Sequence, residues 1–280
     1  MDNSRNCQNR GNSEQIERFA SYLEGRELAE NTVEAYVLSM RRFFERYSGI
    51  TKKNGLAWKQ DLLDDGLKPK SVNIRLNAFN AYCSMIGAEA EKVKTVRVHN
   101  ATSVSNVISA DDYKKLTKGL LDDGNISWYF NIRLLATTGA RVSEYIRLRK
   151  SDFDRGYAEM WTKGKMRRIY IPNSFREEAR SHYDNLEPRD YLVKNRYGQQ
   201  ITTRGVSSML QKLASRYGID KKVMHPHSFR HLFALSFLER NGNLSLLSDV
   251  MGHSSVSTTA IYTRMTREQQ QDAVNQAIDW

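Results

Sequence analysis

One stretch of this chain breaks its pattern. Residues Thr95–Ile108, TVRVHNATSVSNVI, lack the apolar spacing seen on both sides and are rich in Ser, Thr, Val and Asn. Such a segment reads as an extended connection, not a helix. It divides the 280 residues into two amphipathic parts, each long enough to close its own core. The expected organisation is a polar, disordered tail over 1–12, a helical domain over 13–96, a linker over 97–108 and a second domain over 109–280.

The first part reads as a bundle of about four helices. Ile16, Phe19, Ala20 and Leu23 recur at helical spacing from Ser13 onward. Asn31 is expected to cap the next helix, with Glu34 three residues later as in a capping box. Behind it runs a stripe of Val33, Tyr36, Val37, Met40, Phe43, Phe44 and Tyr47, closed by Gly49. A short helix follows around Leu56–Leu63. Pro69 and Ser71 open another, with Leu76, Phe79, Cys83 and Ile86 inward and Gly87 at its end.

The second part is expected to be mostly helical, with one small antiparallel sheet. Ser109 caps a helix that carries Asp112 in its first turn. Tyr157–Thr162 and Arg167–Ile171 read as a hairpin around Lys163, Gly164 and Lys165. Helices are expected at Asn173–Asn185, Thr203–Tyr217, Ser228–Asn241 and Leu244–Met251, and the tail is helix-prone through Trp280. The fold class is therefore mainly α.

Composition narrows the function. Lys and Arg number 43 against 32 Asp and Glu, a formal charge of +11, of which +8 lies beyond residue 100. That balance favours a polyanionic partner, most simply nucleic acid. Two cysteines, Cys7 and Cys83, supply neither a disulfide framework nor a multi-cysteine zinc site. There is no apolar run of about 18 residues and no apolar core in the polar N-terminus, so neither a membrane span nor a secretory signal is expected, and the cytoplasm is the expected location.

Four stretches carry groups suited to a phosphodiester. In Thr138–Glu144, TGARVSE, Gly139 permits a tight backbone before Arg141, whose guanidinium offers paired donors to two oxygens. The plainer reading is an Arg141–Glu144 pair on a helix surface. At the hairpin turn, Lys163 or Lys165 could serve as a general acid, and a solvated turn lysine is the plainer reading. In His225–His231, HPHSFRH, a helix begins near His227 or Ser228, so free N–H groups face an anion, and His227 and Arg230 share one helical face. A metal site using His225, His227 and His231 fits less well, because its ligands would straddle the helix start. In Gly252–Tyr262, GHSSVSTTAIY, His253 follows a C-cap glycine and Tyr262 lies nine residues on.

Taken in order, Arg141, Lys163, His227 with Arg230, His253 and Tyr262 resemble the catalytic series of the tyrosine recombinase, or phage-integrase-like, family. The resemblance covers the whole second part. The helical first part is similar to that family's core-binding domain. With only about a dozen polar residues ahead of the first helical segment, the chain resembles two-domain, Xer-like members that lack an arm-binding domain.

The resemblance implies a catalytic domain of mixed α/β type and cleavage and rejoining of duplex DNA with neither cofactor nor metal. Tyr262 would attack the scissile phosphate to give a 3′-phosphotyrosyl link and a 5′-hydroxyl. Arg141 and Arg230 would bind the non-bridging oxygens, Lys163 would protonate the leaving oxygen, and His227 would help remove the Tyr262 proton. His253 would hydrogen-bond the phosphate, and Glu144 would support Arg141. Lys165 is the rival to Lys163. The implied partner is double-stranded DNA with paired inverted sites, bound by a homotetramer at two protomers per site, in the cytoplasm at the nucleoid. The competing readings are a non-catalytic helical DNA-binding regulator, a type IB-like topoisomerase and a metal-dependent nuclease.

Overall fold

The computed structural model describes residues 3–98, 106–162 and 165–252, together with Thr259, Tyr262 and Asn275. It divides into two compact units, Met1–Asn100 and Ala101–Trp280.

Unit 1 holds α1 (Asn3–Gly25), α2 (Glu30–Arg46), α3 (Lys52–Asp64), α4 (Pro69–Met85) and a 3-10 turn at Glu89–Glu91. Phe43 stands at the centre of its core. Its ring lies 5.1 Å from both Trp58 and Phe79 and 5.2 Å from Tyr47. Phe19, Leu23, Met40 and Leu76 are fully buried around it. Burial also pushes the Cys83 thiol up to about 11, which makes it an inert core residue.

Several expected boundaries move. Helix α1 starts at Asn3, so its first turns occupy the segment read as a disordered tail. Helix α2 begins at Glu30 with Ala29 at its cap, which places Asn31 inside the helix, and it ends at Arg46, before Gly49. Ile86 is the C-cap of α4 and is exposed, because the helix that would carry it inward ends at Met85. The segment after the bundle is fastened to α4. The Asn80 side chain bonds both the N–H and the carbonyl of Val93, and Asn73 does the same for Val96, at 2.7–2.9 Å. The connection thus starts as a strap on unit 1.

Unit 2 contains α5 (Ala110–Asp122), α6 (Ile126–Thr138), α7 (Val142–Tyr145), α8 (Lys150–Arg155), β1 (Tyr157–Thr162), β2 (Lys165–Tyr170), α9 (Asn173–Tyr183), α10 (Thr203–Tyr217), α11 (Pro226–Asn241) and α12 (Leu244–Met251). Helix α6 is apolar on nearly every side, as a helix enclosed by others must be. Ile132, Leu134 and Leu135 are buried, with α5, α9 and α11 packed around it. Strands β1 and β2 form a two-stranded antiparallel hairpin that pairs Thr162 with Lys165 and Met160 with Arg167. The second strand therefore starts at Lys165, earlier than the expected Arg167, and Ile171 lies just beyond it. Helix α11 starts at Pro226, not Ser228, with His225 as its cap. The start of unit 2 is pinned to α11 by the N–H of Ile108, which donates to Ser228 Oγ at 2.7 Å.

Candidate active site

Arg141 is held by the turn that ends α6. Gly139 adopts φ 57°, and a Cβ there would meet the Phe233 ring at 2.4 Å, so glycine alone fits. The chain then enters α7 with Arg141 at the N-cap. The backbone N–H of Arg141 donates to Glu144 Oε2 at 2.8 Å, and its Nη1 donates to Glu144 Oε1 at 3.0 Å. The Arg141–Glu144 pair foreseen on a helix surface exists, but Glu144 is buried.

A second cation explains that burial. Arg167 lies on the inward face of β2 together with Ile169, and its Nη1 donates to Glu144 Oε2 at 2.6 Å. Burial acts to raise the Glu144 carboxyl, but Arg167, the Arg141 N–H and the Arg141 guanidinium together hold it below its ordinary value. A depressed carboxylate stabilises the fold above its unfolded value and loses that contribution as pH falls. Unit 2 is therefore expected to lose melting temperature as pH drops below about 4.5, the carboxyl's ordinary value, and Glu144→Gln should flatten that acid limb in calorimetry.

Arg230 is the third guanidinium. It is 1% exposed. Its Nη1 donates to the Gly139 carbonyl and its Nη2 to the Met251 carbonyl, both at 2.6 Å. Burial, with the charges of Arg167 and Arg141 nearby, lowers it to about 9, so it still carries its proton at neutral pH.

The three arginines share one anchor. Arg167 donates through Nε and Nη2 to the Val250 carbonyl, Arg230 to Met251 and Arg141 Nη2 to Gly252 at 2.9 Å. These are successive carbonyls at the C-terminus of α12, where the helix dipole favours cations. Gly252 has φ 60°, and a Cβ would stand 2.3 Å from Arg167 Cδ, so this residue must also be glycine.

His227 lies in the first turn of α11. Burial, then Arg230, His225 and Arg141, lower its pKa, which keeps the imidazole neutral at neutral pH. The arrangement at the helix start differs from expectation. The Ser228 N–H is taken by His225 Nδ1 at 3.1 Å and Ser228 is fully buried, so this N–H is not offered to an anion. Four residues after His227, the His231 ring meets it edge-on at 4.4 Å between centroids. His231 Nδ1 lies 2.6 Å from the Tyr262 hydroxyl. The Tyr262 ring rests on the cluster of Ala234, Leu247 and Met251. Burial raises the Tyr262 phenol, and Arg230 acts to lower it.

Of the residues singled out in the sequence, Arg141, Glu144, His227, Arg230 and Tyr262 converge here. Lys163 and His253 lie outside the described residues, and Lys165 opens β2. Sequence reasoning missed Arg167 and His231. The alternation along MRRIY, which puts Arg167 on the face of Ile169, would have flagged the first. In the sequence His231 stands out only as a candidate metal ligand.

The phage integrase family matches residues 106–269. The tyrosine recombinase XerA of Pyrococcus furiosus is 30% identical over 275 residues, covering 95% of this chain and 94% of that protein. The tyrosine recombinase XerD of Listeria monocytogenes is 28% identical over 295 residues, covering 93% and 97%. Among solved structures, the Tn1549 transposon integrase in complex with circular intermediate DNA superposes with a TM-score of 0.75 at 17% identity, covering 94% of this chain and 99% of that one. That likeness concerns the fold. The chain belongs to the phage integrase family and is a site-specific tyrosine recombinase, an enzyme that breaks and rejoins DNA strands.

Proposed function

We propose that Tyr262 is the nucleophile of this enzyme. Its phenol oxygen attacks the scissile phosphorus of duplex DNA, the bond to the 5′-oxygen breaks, and a 3′-phosphotyrosyl link holds the strand. Because the link conserves the phosphoester energy, a second 5′-hydroxyl reverses the step without a high-energy cofactor. Arg141 and Arg230 bind the non-bridging oxygens, with His227 at the same phosphate. Lys163, or Lys165 beside it, protonates the departing oxygen, and His253 hydrogen-bonds the phosphate.

The observation that carries this reading is the charge around Tyr262. Three guanidiniums gather around one carboxylate, leaving a net positive charge, and one of them, Arg230, acts directly on the phenol. That charge matches a transition state more negative than the ground state, in a setting where little reorganisation is needed. The proposed partner is DNA bearing paired inverted sites, bound by four protomers, two to a site, with residues 13–96 as the core-binding domain and 109–280 as the catalytic domain. Several solved relatives are bound to DNA, among them XerH on its difH substrate and a lambda integrase dimer on a core site. The proposed setting is the nucleoid in the cytoplasm.

The test is covalent capture. Random-sequence nicked duplexes are incubated with the protein, denatured, and the protein-linked DNA is recovered. The adduct is expected on the peptide containing Tyr262 by mass spectrometry. An adduct on another residue, or none from any duplex, overturns the assignment.

A further inference from the structure

A phenol near its ordinary pKa of about 10 is a poor nucleophile at neutral pH, and burial raises Tyr262 further. Its proton must go somewhere as the oxygen attacks. The family resemblance gives that task to His227, the second histidine of HPHSFRH. The geometry points to a different residue: we propose that His231 takes the proton from Tyr262 during strand cleavage and returns it during rejoining. This rests on Tyr262 being the nucleophile.

Three observations carry it. The first is distance, since His231 Nδ1 is 2.6 Å from the Tyr262 hydroxyl, within the reach required of a general base. The second is the helix face. His227, His231, Ala234 and Leu238 recur at the spacing of one side of α11. Tyr262 packs on the cluster that holds Ala234 of that face, and its hydroxyl meets the imidazole of His231. His227 is one turn further, about 6 Å along the axis. The third is electrostatic. His227 is held neutral by burial and by Arg230, so a proton arriving on His231 meets no second imidazolium in the ring beside it.

In the step itself, the Nε2–H tautomer of His231 accepts the phenol hydrogen bond at Nδ1. As the oxygen–phosphorus bond forms, the proton moves to Nδ1 and the imidazole becomes imidazolium. The bond from phosphorus to the 5′-oxygen breaks, and that oxygen takes its proton from the separate acid, Lys163 or Lys165. On rejoining, a 5′-hydroxyl attacks phosphorus and gives its proton to the now neutral lysine, the bond from phosphorus to the phenol oxygen breaks, and the imidazolium returns its proton to the departing phenolate. Protons and charge balance without an outside reagent.

The test uses the full-length protein and a nicked duplex recovered by the wild-type protein in the capture experiment. Asparagine places an amide oxygen near the position of Nδ1, so His231→Asn keeps an acceptor for the phenol but no base. If His231 is the base, His231→Asn and His231→Ala both form the adduct about 10²–10⁴-fold more slowly, with gel-shift binding unchanged. Added imidazole should restore at least part of the His231→Ala rate, which also shows that the variant is folded. A duplex with sulfur in place of the bridging 5′-oxygen needs no acid, so it should rescue Lys163→Ala but not His231→Asn. The proposal is overturned if His231→Asn reacts within about threefold of wild type, or if the sulfur duplex restores it. A wild-type protein that captures no duplex defeats the nucleophile assignment instead, so the two failures are separable.

Discussion

Arg230→Lys is expected to slow adduct formation by about 10²–10³-fold while leaving DNA retention close to wild type. The guanidinium spans two carbonyls from different elements, Gly139 after α6 and Met251 at the end of α12, and it is buried among other cations. Lysine keeps a charge, but as a point on a flexible stem it cannot hold both carbonyls and present a planar fork. A buried ammonium beside Arg141 and Arg167 also gives up its proton more readily. Phosphates elsewhere along the duplex carry most of the binding, so retention should change little. Single-turnover cleavage of a nicked duplex measures the first quantity and gel shift the second. A cleavage rate within threefold of wild type would show that Arg230 holds the backbone and no more.

The second large effect concerns stability. Arg167→Met should destabilise unit 2 by about 3–5 kcal/mol, because it strands a buried carboxylate. Glu144 would keep Arg141 but lose its 2.6 Å bond from Arg167, and the Val250 carbonyl would lose both of its side-chain donors. Methionine fills a similar volume, so the loss reports charge and hydrogen bonding rather than a cavity. Pairing Arg167→Met with Glu144→Gln should recover part of the loss, since the buried charge goes with its partner. Urea denaturation of the single and double variants checks both statements. A single-variant cost below 1 kcal/mol, or strictly additive costs, would refute the idea that Arg167 exists to neutralise Glu144.

What could be read in advance was whatever the chain settles locally. Helices α10 and α12 match the expected Thr203–Tyr217 and Leu244–Met251, because Thr202 and Asn243 cap them and Gly218 and Gly252 end them. Helix α11 was expected too late because its cap is the imidazole of His225, outside the usual set of capping side chains. Helix α2 starts two residues before the expected point because Asn31 looks like a cap, whereas Ala29 holds that position without a side-chain bond. In the site, motif order singles out Arg141, His227, Arg230 and Tyr262 as candidates. The partners that orient them were hidden for a reason of distance. The Arg167–Glu144 pair spans 23 residues, and the His231–Tyr262 contact spans 31. Such contacts depend on where residues distant in the chain meet in the fold, which local periodicity does not encode.

The close of α12 has a bearing on how this chain tolerates changes in length. Val250, Met251 and Gly252 each seat an arginine that arrives from a separate part of unit 2. One residue inserted or deleted there would turn every following carbonyl by about 100° around the helix axis. All three seats would be lost together. Surface loops can lengthen at small cost, but this joint admits neither gain nor loss.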